Sequence, residues 1–115
     1  PYLGVSVDNH FTIDELAAAL KLPVDKGVLV SSVIDGGPAD KAGVRGGDKQ
    51  LTVRGLPVVA GGDIITAIDG DPITSFDQMI GYLSSQKLVG EEVTLTILRD
   101  GETLQLPLTL ADRPR

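Results

Sequence analysis

Side chains suited to covalent or acid–base chemistry are scarce in this 115-residue chain, which has one histidine and no cysteine. Without cysteine there is neither a disulfide nor a thiolate nucleophile. His10 has no Gly-x-Ser-x-Gly elbow to serve, and a lone loop histidine reads as a solvated residue after the first strand. Asp69 and Asp71 form the only carboxylate pair with a metal-like look. A calcium loop of the EF-hand type needs further acidic positions and a glutamate at its twelfth position. Neither is present, so Asp69-Gly70 reads as turn chemistry, with no metal and no cofactor expected. What remains is the chemistry of the backbone. In Tyr2-Leu3-Gly4-Val5 a glycine stands between Leu3 and a β-branched run, where it marks a bulge or the close approach of another backbone. Taken alone, the tetrapeptide is best explained by a bend into the first strand.

Composition narrows the partners. A net charge of −6, from 16 acidic and 10 basic residues, opposes nucleic acid, which selects a basic face. It also provides no pull toward an anionic membrane. No apolar run approaches the roughly 18–20 residues of a spanning helix. The length is that of one domain, residues 1–115. Hydrophobic residues make up 42% but aromatics only 3%, so the core must be built from Leu, Ile and Val. With no initiating Met and no leader ahead of Pro1, the chain reads as excised from a longer protein.

The elements that must position these residues follow from periodicity. Val93, Leu95 and Ile97 alternate with polar or opposite-facing neighbours, Asp100-Gly101 makes a two-residue hairpin turn, and Leu104, Leu106, Leu108 and Leu110 continue the alternation inward. Pro107 cannot donate to a ladder and so points to an edge or an irregular spot in that last strand. Two shorter strands flank Asp69-Gly70, and residues 27–34 form another. Pro38 and Gly43 bracket a helix of one or two turns. Residues 74–87 form the main helix, capped by Thr74 or Ser75, with Phe76, Met79, Ile80 and Leu83 at i, i+3, i+4 and i+7. Gly81 inside it suggests a segment passing close by. A shorter helix spans residues 13–20. Gly-Gly-Asp occurs twice, at 46–48 and 61–63. The stretch between reads as a surface hairpin turning at Arg54-Gly55, since loop insertions are thermodynamically cheap.

In this order the parts resemble a PDZ domain of the bacterial kind that follows the protease in the HtrA family of serine proteases. Three motifs carry the resemblance over nearly the whole chain: Tyr2-Leu3-Gly4-Val5, Gly37-Pro38-Ala39-Asp40-Lys41-Ala42-Gly43, and Gly62-Asp63-Ile64-Ile65 with Ile68-Asp69-Gly70. The resemblance implies a mainly β (α+β) fold with two or three helices. It is a PDZ-like partly open barrel or sandwich of five or six strands in permuted bacterial topology, with an extra hairpin near residues 48–61. That insertion departs from the family pattern, in which one Gly-Asp pair follows the short helix directly. A basic residue often found upstream of the loop is also missing, because the chain begins at Pro1.

The resemblance further implies a site. Tyr2, Leu3, Gly4 and Val5 would form a loop whose amides meet a peptide's terminal carboxylate, as successive N–H groups aimed at one point do. Val5, Ser6, Val7 and Asp8 would pair with the peptide as an added strand. Phe76, Met79, Ile80 and Leu83 would form the groove wall, Met79 turned more toward the core. Leu3, Val5, Val7 and Leu83 would line the pocket for the last side chain. The expected ligand is a C-terminal peptide, hydrophobic at its last and third-from-last residues, bound with micromolar affinity, on the order of −7 to −8 kcal/mol. The domain itself would be non-catalytic and monomeric. It would recognise unfolded or damaged proteins for an attached, oligomeric serine endopeptidase in the periplasm or cell envelope. Two alternatives stay open. One is service to a tail-specific or intramembrane protease; the other is an assembly module whose groove is filled by its own tail or a neighbouring protomer.

Overall fold

The computed structural model describes residues 3–7, 13–22, 24, 26–86 and 88–111. The elements, in chain order, are β1 (Val5–Val7), α1 (Ile13–Leu20), β2 (Val28–Val33), α2 (Pro38–Ala42), β3 (Lys49–Val53) and β4 (Leu56–Ala60). They continue with β5 (Ile64–Ile68), β6 (Asp71–Pro72), α3 (Phe76–Gln86), β7 (Glu92–Arg99) and β8 (Glu102–Thr109). Six strands form one antiparallel sheet ordered β1-β2-β5-β7-β8, with β6 paired to β5; β3 and β4 form a separate hairpin. The sheet is open and not closed into a barrel, with β1 and β8 as its edges, in keeping with the mainly β fold with three helices that the PDZ resemblance implies. Pro107 lies on edge strand β8 opposite Thr94, where its missing donor leaves no central ladder broken.

Three hairpins turn on the same backbone geometry. Arg54-Gly55, Asp69-Gly70 and Asp100-Gly101 each have two consecutive positive φ angles, near 51° and 82°. That is the two-residue turn whose twist matches the flanking strands. Asp69 also ties its turn to β7: its Oδ1 accepts the Thr94 N–H at 2.8 Å. The carboxylate is therefore engaged structurally, while the turn itself shows in the positive φ of Asp69 and Gly70. Among the described residues, no group of histidine or acidic side chains is arranged to hold a metal.

Period-two alternation sends neighbouring residues to opposite faces of the sheet. Val28, Ile65 and Ile97 enter the main core with Met79 and Leu83 of α3, Ala39 of α2, and Leu108 and Leu110. Leu104 and Leu106 are half-buried against the same cluster. Leu29 and Ile64 face the other way and meet Leu16 of α1 and Val58 of β4, with Leu98 and Val53 beside them. The inserted hairpin is thus more than the surface excursion read from the sequence, because its inner face closes a second core under α1. An exposed Arg54–Glu15 ion pair of 3.1 Å joins its tip to that helix, an interaction of little energetic weight in water.

The two Gly-Gly-Asp repeats meet at the base of the hairpin. A Cβ on Gly62 would lie 2.0 Å from the Val30 carbonyl oxygen and 2.8 Å from the Gly47 nitrogen. Only glycine permits that approach. Gly81 behaves differently: a Cβ there meets nothing within 4 Å, so among the described residues no segment passes close to it, contrary to the sequence reading.

Candidate functional site

The site is built from the unpaired side of β1. β1 pairs β2 as Val5↔Val33 and Ser6↔Ser32, then shifts to Val7↔Val30 across a bulge. The Ile34 N–H donates to the Gly4 carbonyl at 2.8 Å, making Gly4 and Ile34 a bonded pair. Bonded and non-bonded pairs alternate in an antiparallel ladder, so Val5 turns its own N–H and C=O away from β2. Val7 does the same, because the Val30 N–H is committed to the Asp63 carbonyl at 2.9 Å on the opposite side of β2. The bulge sends the Ser31 carbonyl to the Gly47 N–H at 2.9 Å. An edge with free backbone groups at alternate residues is a template for one more strand.

Ahead of β1 the chain bends at Gly4, whose φ is +82°, a region that costs an L side chain energy and glycine almost none. The Leu3 and Gly4 carbonyls are both taken inward, by the N–H groups of Ala39 and Ile34, each at 2.8 Å. Among the described residues the Gly4 N–H has no backbone partner. Among the described residues the loop therefore keeps its acceptors engaged and leaves donors over.

The hydrophobic floor lies beside this edge. Val5 and Val7 are half-buried on the main core, together with Phe76, while Ser6 between them is exposed. Leu3, Met79 and Leu83 are fully buried in the same cluster. Ile80 is half-buried and lies outside the side chains packed on that cluster. Six of the residues named from the sequence, Leu3, Val5, Val7, Phe76, Met79 and Leu83, thus converge on one core. Tyr2, Asp8 and His10 lie outside the described residues.

Phe76 is held at the start of α3 by its cap. The Ser75 hydroxyl accepts the Gln78 N–H at 3.2 Å, and the Gln78 side-chain oxygen accepts the Thr74 N–H at 2.6 Å. This reciprocal arrangement is a variant of the capping box. It settles the choice of cap on Ser75.

Behind the loop, Asp63 is 1% exposed yet fully partnered. Arg99 grips its two oxygens at 2.8 and 2.7 Å, and the Arg45 N–H adds a third bond at 2.9 Å. Arg99 also donates to the Gly43 carbonyl at the end of α2, at 2.8 Å. Hydrogen bonding to Asp63 raises the Arg99 pKa above its ordinary value, against the opposing effect of burial. Sequence reading missed this cluster. The Asp63–Arg99 pair spans 36 residues, and no local pattern announces it.

Comparison with known proteins bears on the fold that carries this edge. The PDZ domain family matches residues 1–110. The periplasmic serine endoprotease DegP of Escherichia coli K12 is 33% identical over 96 residues, covering 84% of this chain and 17% of DegP. A probable periplasmic DegP-like endoprotease of Chlamydia trachomatis is 32% identical over 114 residues, covering 98% of this chain and 19% of that protein. The chain thus spans about a sixth to a fifth of the length of these relatives. Among solved structures, the HtrA3 PDZ domain bound to a phage-derived ligand, FGRWV, superposes with a TM-score of 0.64 at 19% identity, covering 94% of this chain and 83% of that one. The HtrA-type protease AlgW with a decapeptide gives 0.68 at 24% identity over 99% of this chain and 30% of that one. At these identities the two structures speak to the fold.

Proposed function

This chain belongs to the PDZ domain family, a non-catalytic module, and from that premise we propose that it captures hydrophobic C-termini of other proteins by strand addition to β1. The observation that carries this reading is the division of labour at residues 3–5. Two carbonyls are bonded inward, while among the described residues the Gly4 N–H and the outward backbone groups of Val5 have no backbone partner at the edge strand β1. A terminal carboxylate is the ligand group that such donors suit, at roughly 1.5–3 kcal/mol for each charged hydrogen bond. Further along β1, outward groups of Val7 would pair with the peptide two residues before its end. Side chains at the last and third-from-last positions then fall on the apolar face of Val5 and Val7, with Phe76 and Ile80 of α3 as the opposite wall.

The relatives named as periplasmic serine endoproteases support a role as the substrate-recognition and regulatory part of an HtrA-like serine endopeptidase. They also support a location outside the cytoplasm. Among the described residues no helix is long and apolar enough to cross a membrane.

The test is an NMR titration with a short peptide ending in Val-Phe-Val, as free acid and as C-terminal amide. The expected result is amide-proton shifts at Gly4, Val5 and Val7 and in α3, with the free acid bound at least about tenfold tighter, equivalent to about 1.4 kcal/mol. Equal binding of the two forms excludes carboxylate recognition and leaves strand addition to internal segments.

A further inference from the structure

We propose that the entry to α2 is a positioning device for the carboxylate-binding amides, with Ala39 and Gly37 as the residues that aim them. The proposal rests on the C-terminus-reading function above. A trans peptide unit is planar and points its C=O and the following N–H in opposite directions. The Leu3 carbonyl and the Gly4 N–H belong to one such unit. The Ala39 N–H binds that carbonyl at 2.8 Å, so the same bond directs the Gly4 N–H away from α2. The Gly4 carbonyl and the Val5 N–H form the next unit, fixed by Ile34 at 2.8 Å. Two inward bonds thus orient two outward donors.

Gly37 completes the device. In an antiparallel bonded pair, Gly4 and Ile34 would exchange both hydrogen bonds. Here the Ile34 carbonyl instead accepts the Gly37 N–H at 3.0 Å, and the Gly4 N–H is released from its natural acceptor. The loop packs directly on the entry to α2, since a Cβ on Gly4 would lie in ordinary van der Waals contact with the Pro38 Cδ at 3.4 Å and the Gly37 Cα at 3.5 Å, and it is the Gly4 φ of +82° rather than lack of space that calls for glycine there. Because Pro38 has no N–H, Ala39 is the first donor of the helical turn, and it is completely buried. Without the Leu3 carbonyl its amide would be an orphan of the kind helix N-termini leave.

The experiment replaces the Ala39 amide by an ester, using lactic acid at that position in a semisynthetic chain. This deletes the N–H and keeps the side chain. The same Val-Phe-Val peptide is titrated as free acid and as amide. The expected result is a preference for the free acid that falls from about tenfold to below about threefold, with affinity for the amidated peptide unchanged. An ester variant that keeps the full preference overturns the positioning role and leaves the proposed function standing. An unmodified chain without any preference overturns the function itself. If the ester variant does not fold, Gly37→Ala decides. Its Cβ would lie 3.2 Å from the Ile34 oxygen and 3.6 Å from the Gly4 Cα. It should reduce binding of the free acid selectively, and an equal effect on both peptides overturns the proposal.

Discussion

Arg99 holds both carboxylate oxygens of Asp63, Nε to Oδ1 at 2.8 Å and a terminal nitrogen to Oδ2 at 2.7 Å. The pair clamps the start of β5 to the end of β7. Through the Gly43 carbonyl it also fixes the far end of the short helix whose entry supports the Leu3–Gly4 loop.

Removing one partner of that clamp strands a charge at a site that is 1% exposed. Arg99→Ala should destabilise the domain by about 3 kcal/mol, read as a lower urea midpoint. Asp63→Ala combined with Arg99→Ala should cost less than the sum of the single changes, the signature of direct coupling. The direction of the Arg99 pKa is upward. Its stabilising effect is therefore complete below the ordinary arginine pKa and lost only as pH rises through the elevated one. Arg99 adds no pH dependence to stability near neutrality.

Glycines in two positions should respond oppositely. Gly62→Ala places a Cβ 2.0 Å from the Val30 oxygen, a backbone clash with no flexible side chain to yield, and the domain should not fold. Gly81→Ala fills open space on a helix and should stabilise by about 1 kcal/mol. Thermal melting distinguishes the two directly, and a destabilised Gly81→Ala variant contradicts the exposed position found for that residue.

The second core should be separable from the binding edge. Val58→Ala removes two buried methyl groups beside Leu16, Leu29 and Ile64 and should cost about 2 kcal/mol. Peptide affinity, measured by calorimetry well below the melting temperature, should stay within about twofold, a difference of about 0.4 kcal/mol. A larger loss of affinity would mean that the hairpin shapes β1 through the Ser31–Gly47 bond.

Ile80 tests the groove wall. It is half-buried and lies outside the side chains packed on the main core, so Ile80→Lys should leave the melting temperature nearly unchanged. If the side chain faces the peptide, affinity should fall about tenfold or more, the effect of losing about 1.5–3 kcal/mol of apolar burial. Unchanged affinity removes Ile80 from the site.

The elements of this fold were legible because each rests on local geometry. The alternation around Val93, Leu95 and Ile97, the Asp-Gly turns, and Pro38 and Gly43 bracketing α2 all act within a few residues of chain. The permuted order of those elements, with the loop motif first, sufficed to place β1 at the start and to predict its open edge. The inserted hairpin was visible as a turn at Arg54-Gly55. Its burial was not, because Val58 is buried by Leu16 and Leu29, residues far away in sequence. Gly81 was misjudged for a related reason: a glycine's neighbours are set by packing, and its letter alone does not distinguish close approach from empty space.

By itself, then, the sequence determined a glycine-bearing loop, an edge strand and an amphipathic helix, and through their order the family. Only the tertiary structure decided which backbone groups remain free to work. Gly4 has one N–H and one C=O in any fold. That its carbonyl is bonded to Ile34 and its N–H is not, and that Ala39 turns the preceding carbonyl inward, depends on contacts across some 30 residues or more. Local propensity does not encode such contacts, since packing brings them together and leaves no periodic trace in the chain.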